Sequence, residues 1–400
     1  MGDRHNLAIF LVARALSAVG TWMAPMALTF LLLDEHYQLV VVGLVLAARS
    51  IPTAVLSLAG GLAADRFGPR RMMVIGDLVR FASHGLLFAA VLMGRVPLAG
   101  FVVAELVIGL GAAFFTPSLT GLIPRIVPAD QLAKANGARG LVYSVAMIVC
   151  PAAAGFLISV WSPTVVIGLD AVAYLASAGA LGLLVVASVP ARVRVSVWAD
   201  IKGGLSAIRE RAWLWETMAI YAVFGMVAYG GLMLLGPAIA RTHLGGASSW
   251  GLLLSGLGIG TALGSVLAMR ITSKRPILVV VGLGGLWAIP MIALAGGLPL
   301  PALVLAAGLG GLGWGIVNPV WYSTIQQQVP QEHLSQVSAW DTTITEAATP
   351  IGYLLVGALA GIASPITVLM ICAIVWLAIC VAGMSLSTTR RTFNFAKSML

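Results

Sequence analysis

A chain of 400 residues that is 60% hydrophobic and only 9% charged departs far from the roughly 25% charged residues of an ordinary soluble domain. Twelve stretches are long enough to cross a ~30 Å hydrocarbon core, so composition excludes a soluble fold and points to a multi-pass membrane protein in contact with lipid. The net charge of +9 would suit nucleic acid, but basic residues gathered at helix ends set membrane orientation instead, and no nucleic-acid partner is expected.

Taken in order, the apolar stretches begin near Leu7, Leu39, Met73, Pro97, Arg139 and Thr164, and then near Leu214, Ser248, Ile277, Leu300, Asp341 and Pro365. Barrel strands would alternate apolar and polar over about ten residues; these stretches do not, and all twelve read as helices. With the N-terminus inside, 18 of the 23 basic residues fall on the cytoplasmic side, Arg95 and Arg241 fall outside, and Arg14, Arg49 and Arg80 lie within spans. Both termini are therefore expected in the cytoplasm. Cys150, Cys372 and Cys380 lie inside spans without metal-ligand spacing and read as small packing residues. No metal site or cofactor is expected.

Between the second and third spans runs GLAADRFGPRR, Gly61 to Arg71, with four charges in eleven residues at a membrane surface. The longest connection, near residues 190–213, divides the spans six and six. Its Trp198, Ile201, Leu205 and Ile208 recur at helical spacing opposite Lys202 and Arg209, which reads as a surface-lying amphipathic helix or, less specifically, a solvated linker. The expected organisation is a six-helix half over 1–189, the linker 190–213, a second half over 214–388 and a cytoplasmic tail 389–400. An internal repeat supports the halves: Gly109 to Gly155 aligns without a gap on Gly311 to Gly357 at an offset of 202, including VPADQL at Val127 on VPQEHL at Val329. Equal offsets across two helices imply two pseudo-symmetric halves in the same orientation.

These residues resemble the major facilitator superfamily. The family signature has the form G-x-L-a-D-R-x-G-R-[RK]; Gly61, Asp65, Arg66 and Gly68 match it, while Ala63 and Pro69 depart from it and move the basic pair to Arg70 and Arg71. IVPADQLAKANGARG from Ile126, GLDAVAYLASA from Gly168 and DIKGGLSAIRER from Asp200 look like the bacterial drug, macrolide and siderophore exporters. CPAAAG, with Pro151 and Gly155, is similar to the glycine-proline motif of proton-coupled antiporters, although small residues beside a proline also serve helix packing. The resemblance implies an all-α fold of twelve transmembrane helices in two six-helix halves, a monomer in a bacterial inner membrane, and proton-driven export of a bulky small molecule by alternating access. An importer or a lysolipid flippase would use the same fold, and a non-transporting receptor is a further alternative.

By the same resemblance Asp65 would lock the cytoplasmic face by meeting the N-terminal end of the eleventh helix near Gln336 to Asp341; a purely topogenic turn is the plainer reading. Ionisable residues inside spans are costly and mark candidates for function, here Arg14, Arg49, Glu105, Asp170, Asp341 and Glu346. Glu105 precedes Gly109 and Gly111 where related transporters carry an arginine, so it reads as a proton or cation site or as half of an ion pair with Arg14 or Arg49. Asp170 lies in the sixth span, which the resemblance makes peripheral, and reads as a fixed hydrogen-bonding or salt-bridging group. Asp341 and Glu346 read as first-turn acids suited to the helix dipole, or Glu346 as part of the gate that Asp65 closes. Trp22, Tyr229, Trp314 and Asn318 fall on spans that line the cavity in the resemblance. The five histidines lie in separate segments, and no catalytic motif or nucleotide loop is present, so the chain is not expected to be an enzyme.

Overall fold

The computed structural model describes residues 3–390 apart from 95, 129–130, 187–204 and 272; the side chains of 3, 4, 58, 65, 120, 133, 331, 332 and 335 are also outside the description. Among the described residues there is no strand, and twelve long helices follow one another. They are α1 (Asp3–Asp34), α2 (Leu39–Phe67), α3 (Pro69–Leu92), α4 (Leu98–Leu122), α5 (Leu132–Val160) and α6 (Pro163–Gly182). Then come α7 (Ala212–His243), α8 (Ala247–Ala268), α9 (Pro276–Ala295), α10 (Leu300–Gln328), α11 (Gln331–Leu359) and α12 (Pro365–Ser385).

Eleven of these are apolar and long enough to cross a membrane. The exception, α11, carries Gln336, Asp341, Thr342, Thr343, Thr345 and Glu346 along one stretch, which lowers its hydropathy below that of its neighbours. Several helices begin before their apolar stretch does. In particular α11 starts at Gln331, so Asp341 and Glu346 sit well inside it, and the reading of both as first-turn acids is corrected: the helix dipole acts only within the first turn.

The helices gather into two compact units. The first comprises Met1–Val193 with Ala240–Leu252, the second Arg194–Ile239 with Leu253–Leu400. In the first, α2 packs on α4, α3 on α4 and α6, and α1 on α5 and α6. Phe10, Met73, Phe115, Leu122 and Leu181 form a buried apolar cluster at one end. In the second, α9 packs on α10 and α12, and α7 on α11. Within α7, Phe224–Tyr229 form a π-helical turn, a local widening that recurs at functional positions.

The repeat is visible in the packing. A Cβ on Gly109 of α4 would overlap the backbone oxygen of Arg49 in α2, and one on Gly111 would lie 2.7 Å from both the Gly76 oxygen and Cγ of Arg80 in α3. Their counterparts Gly311 and Gly313 of α10 press in the same way on the Leu257 oxygen in α8 and on Leu283 and Leu286 in α9. Small residues let backbones approach closely where lipid supplies no hydrophobic drive for helices to associate. The repeat also extends further than Gly155 and Gly357. Ser162 and Ser364, again 202 residues apart, each cap a helix beginning with proline, accepting from Val165 N at 3.4 Å and from Thr367 N at 3.1 Å.

The run from Gly61 to Arg71 is less loop-like than its charges imply. α2 continues through Gly61 to Phe67, Gly68 turns with φ 92°, and Pro69 starts α3. One glycine in a conformation that side chains rarely adopt makes the whole connection. Of the amphipathic linker, Trp198, Ile201 and Lys202 lie outside the described residues; residues 205–209 are helical, with Ala207 and Ile208 buried and Arg209 exposed.

Replacing Gly109 by leucine should separate α4 from α2 and destabilise the protein by about 1–3 kcal/mol, the usual range for overpacking. The measurement is the thermal unfolding midpoint of the detergent-purified protein. Gly137→Ala, where nothing lies within 4 Å of an added Cβ inside α5, should not lower that midpoint and should raise it slightly, since alanine is the better helix former.

Candidate functional site

Helical spacing assembles a polar interior inside the first unit. On α3, Asp77, Arg80 and His84 occupy positions i, i+3 and i+7; on α6, Asp170, Tyr174 and Ser177 occupy i, i+4 and i+7, so each trio shares one face. α1 turns the small residues Ala13, Ser17 and Gly20 towards them, while α2 contributes Arg49 and α4 contributes Glu105. Glu105, Asp77 and Asp170 are fully buried, and Arg80 and His84 nearly so.

His84 is the centre. Its Nδ1 meets Oδ2 of Asp170, and its Nε2 lies 3.0 Å from Oε1 of Glu105. The other Glu105 oxygen faces Nη1 of Arg49 at 3.6 Å, an ion pair rather than a hydrogen bond at that length. Nη2 of Arg49 reaches the Gly20 carbonyl at 3.5 Å, and the absence of a side chain at Gly20 leaves room for Oδ1 of Asp170. One turn along, Arg80 pairs with Asp77 at 3.3 Å, and the Ser177 hydroxyl donates to Asp77 at 2.6 Å while lying 3.0 Å from the Ala13 carbonyl. The Arg80 guanidinium lies 4.3 Å from the centroid of Phe115 and 4.9 Å from that of Tyr174, so aromatic faces supplement its carboxylate.

Of the residues singled out from sequence, Arg49, Glu105 and Asp170 thus come together. Arg14 does not join them: it lies 5.1 Å over the ring of Tyr143 on α5, beside which Trp22 also packs at 5.7 Å. Between the two partners proposed for Glu105, the structure selects Arg49. Asp170 is buried and faces inward from α6, which packs against α1 and α3, so that it meets His84. His84, Asp77 and Arg80 were missed as site residues. Their signal was available in the three polar positions on one helical face of an otherwise apolar span.

The family-signature arginines separate. Arg66 is exposed. Arg70 donates to the carbonyls of Leu184 at 2.7 Å and Gly182 at 3.0 Å, closing the C-terminal end of α6 with a cation, where the helix dipole favours one. Asn6 on α1 pins the same exit by two hydrogen bonds to Val185. Arg71 is exposed, and the side chain of Asp65 lies outside the described residues. Pro151 and Gly155 serve as a packing face: the Gly155 backbone abuts Ala247, and Gly251 abuts the Pro151 carbonyl. Nearby, Arg241 pairs with Asp34 at 3.1 Å.

In the second unit the chemistry is aromatic. Phe224 stacks on Trp314 with centroids 4.5 Å apart and meets Trp287 and Trp376, each at 5.2 Å. Tyr229, at the end of the π-helical turn, joins Phe224 at 6.4 Å and Trp287 at 6.1 Å. Asn318 donates to the Trp314 carbonyl one turn earlier at 3.3 Å. Asp341 is buried and accepts the indole N–H of Trp321 at 3.2 Å on both oxygens. Glu346 is exposed on α11. Among the described residues no group of His, Cys, Asp and Glu side chains has an arrangement that could hold a metal ion.

The family described as Major Facilitator Superfamily matches residues 10–352 of the chain. Macrolide efflux protein A of Streptococcus pyogenes is 23% identical over 358 residues, spanning 86% of each chain. Multidrug efflux pump Tap of Mycolicibacterium fortuitum is 25% identical over 370 residues, spanning 89% of this chain and 90% of its own. Among solved structures, the nucleoside transporter NupG superposes with a TM-score of 0.76 at 13% identity, over 96% of this chain and 99% of its own. A bacterial homologue of the human lysosomal transporter Spinster superposes with a TM-score of 0.74 at 14% identity over 97% of both chains. At these identities the structural likenesses establish the fold.

Removing one member of a buried ion pair strands the other. Arg49→Met should therefore destabilise the purified protein by about 3–5 kcal/mol, and adding Glu105→Leu to it should recover part of that loss. Thermal unfolding midpoints of the single and double variants check this; equal midpoints would mean that Arg49 does not compensate Glu105.

Proposed function

Because the chain belongs to the major facilitator superfamily and is a multi-pass membrane transporter rather than an enzyme, we propose that it exports bulky apolar or cationic small molecules, of the drug or macrolide kind, by proton antiport with alternating access. The observation that carries this reading is that two efflux proteins align with it across most of both chains. The buried charges support the coupling. Ionised groups inside a membrane span are expensive and are retained where ions or protons pass, and Arg49, Glu105, His84 and Asp170 form a continuous ionic chain.

The setting is a bacterial cytoplasmic membrane with both termini inside, as the distribution of basic residues favours, and the working unit is one chain. Asp65, held on the last turns of α2 just before the Gly68 turn, acts in the gate at the cytoplasmic face, while Arg70 keeps the neighbouring end of α6 in place. Trp22, Tyr229, Trp314 and Asn318 are the candidates for contact with the substrate, since aromatic rings with one amide suit a large apolar or cationic molecule.

Asp65→Asn should insert and express normally yet lower drug efflux at least about tenfold, the effect of ~1.4 kcal/mol on the limiting barrier. Efflux from cells lacking their own pumps measures it, and wild-type efflux by a well-expressed variant would sink the gating role. Glu105→Gln should flatten the dependence of efflux on external pH, which is read by repeating the assay from pH ~6 to ~8, around the range where imidazole titrates.

A further inference from the structure

The two contacts of His84 cannot both be hydrogen bonds if the ring is neutral and its neighbours are ionised. A neutral imidazole has one N–H and one bare nitrogen, and an ionised carboxylate only accepts. With Nδ1 on Asp170 and Nε2 on Glu105, one nitrogen would then set a lone pair against a carboxylate oxygen. Both contacts become favourable when one more proton is present, either on the ring as imidazolium or on one carboxyl group.

The charge count of the surroundings agrees. The groups that face His84 are Glu105 on α4, which in turn meets Arg49 of α2, and Asp170 with Tyr174 on α6; Asp77 and Arg80, on its own helix, pair with each other. Beside His84 two carboxylates, Glu105 and Asp170, stand against one guanidinium, Arg49, and a proton on His84 supplies the second positive charge; Asp77 is answered separately, by Arg80 and Arg14. Arg14 lies further out, on Tyr143. An uncompensated charge at this depth is expensive, so the bundle holds the proton until something else answers the negative charge. The two contacts also differ. Asp170 is sealed, whereas Glu105 leads to Arg49, whose side chain is 18% exposed, so the ionic chain reaches the surface only on the Glu105 side.

We propose that His84, clamped between Glu105 and Asp170, is the exchangeable proton site that couples this transporter to a pH gradient, which rests on the antiport reading above. A proton from water adds to the imidazole to give imidazolium, which donates to both carboxylates. Its loss to water returns the neutral ring, with no other bond made or broken. Glu105 is the residue through which the proton enters and leaves, and Asp170 anchors the ring. A cationic substrate can replace the proton because it restores the same charge balance.

The test uses purified full-length protein in liposomes with ethidium, a permanent cation, as the probe. One-for-one exchange of ethidium for a proton is electroneutral, so an acidic lumen should concentrate it about tenfold for each unit of pH, since one unit is worth about 1.4 kcal/mol per proton. His84→Gln should abolish this accumulation while ethidium counterflow, which needs no net proton movement, persists. A His84→Gln protein that still concentrates ethidium as the wild type does, or that folds but loses counterflow as well, overturns the assignment. If the wild type itself exchanges ethidium but never concentrates it under a pH gradient, the antiport reading falls, and that failure is seen before any variant is made. A second measurement does not depend on the variant folding. In wild-type protein with isotope-labelled histidine, the ring nitrogen signals assigned to His84 should change from imidazolium to neutral imidazole on saturation with ethidium. Signals that do not change overturn the proposal.

Discussion

A charge moved into hydrocarbon must be answered by another charge or not be there, and the first unit is arranged around that constraint. Arg49, Glu105, His84 and Asp170 come from α2, α4, α3 and α6, so four helices must keep their mutual registers for any of these groups to be paired. The close approach that holds the registers is backbone on backbone. Gly109 meets α2 at the very residue that supplies the cation, Arg49, and Gly111 meets α3 at Arg80. Packing and electrostatics are therefore not separable contributions here: a side chain at Gly109 would displace the guanidinium from Glu105. Because a broken buried pair is more damaging than a missing one, such a cluster is weak evidence for stability and stronger evidence for a use.

The second unit repeats the packing without the charge. Opposite Gly311 and Gly313 stand Leu257 and Leu286 in place of Arg49 and Arg80, and the interior is filled by Phe224 with Trp287, Trp314 and Trp376. Among its described residues the one deeply buried acid, Asp341, is answered by an indole N–H rather than by a cation. Two copies of one bundle have thus been given different interiors, one ionic and one aromatic. The aromatic interior is also where α7 loosens into a π-helical turn at Phe224–Tyr229, against α11, whose Gly352 abuts the carbonyl of Met226. The proposed function uses this difference: a titratable interior suits ion coupling, and a polarisable aromatic one suits large apolar or cationic molecules.

The charged run between α2 and α3 has a mixed character. Gly68 makes the turn and Arg70 holds the end of α6, which are structural tasks that any copy of this bundle would need. Pro151 and Gly155 likewise make room for the start of α8. Motif residues shared with a family therefore include both parts of the scaffold and parts of the mechanism, and only the surroundings of each side chain separate them.

Composition alone determined that this chain spans a membrane many times, because so few charges cannot cover the surface of a soluble fold. The constant offset between Gly109 and Gly311 determined that the bundle is duplicated, since glycine is required wherever two backbones touch and each copy touches in the same place. The signature around Gly68 identified the family for the same reason, a turn that only glycine makes easily. Sequence could also mark Arg49, Glu105 and Asp170 as expensive residues in apolar spans. It could not say which of them meet, and it passed over His84, Asp77 and Arg80, whose spacing marks one polar face of a span but not the partners of that face, which for His84 lie 21 and 86 residues away. The start of α11 was misplaced because hydropathy follows the apolar stretch while the helix runs on through polar turns before it. The pairing of charges depends on which helix faces lie together, and only the tertiary structure decided that.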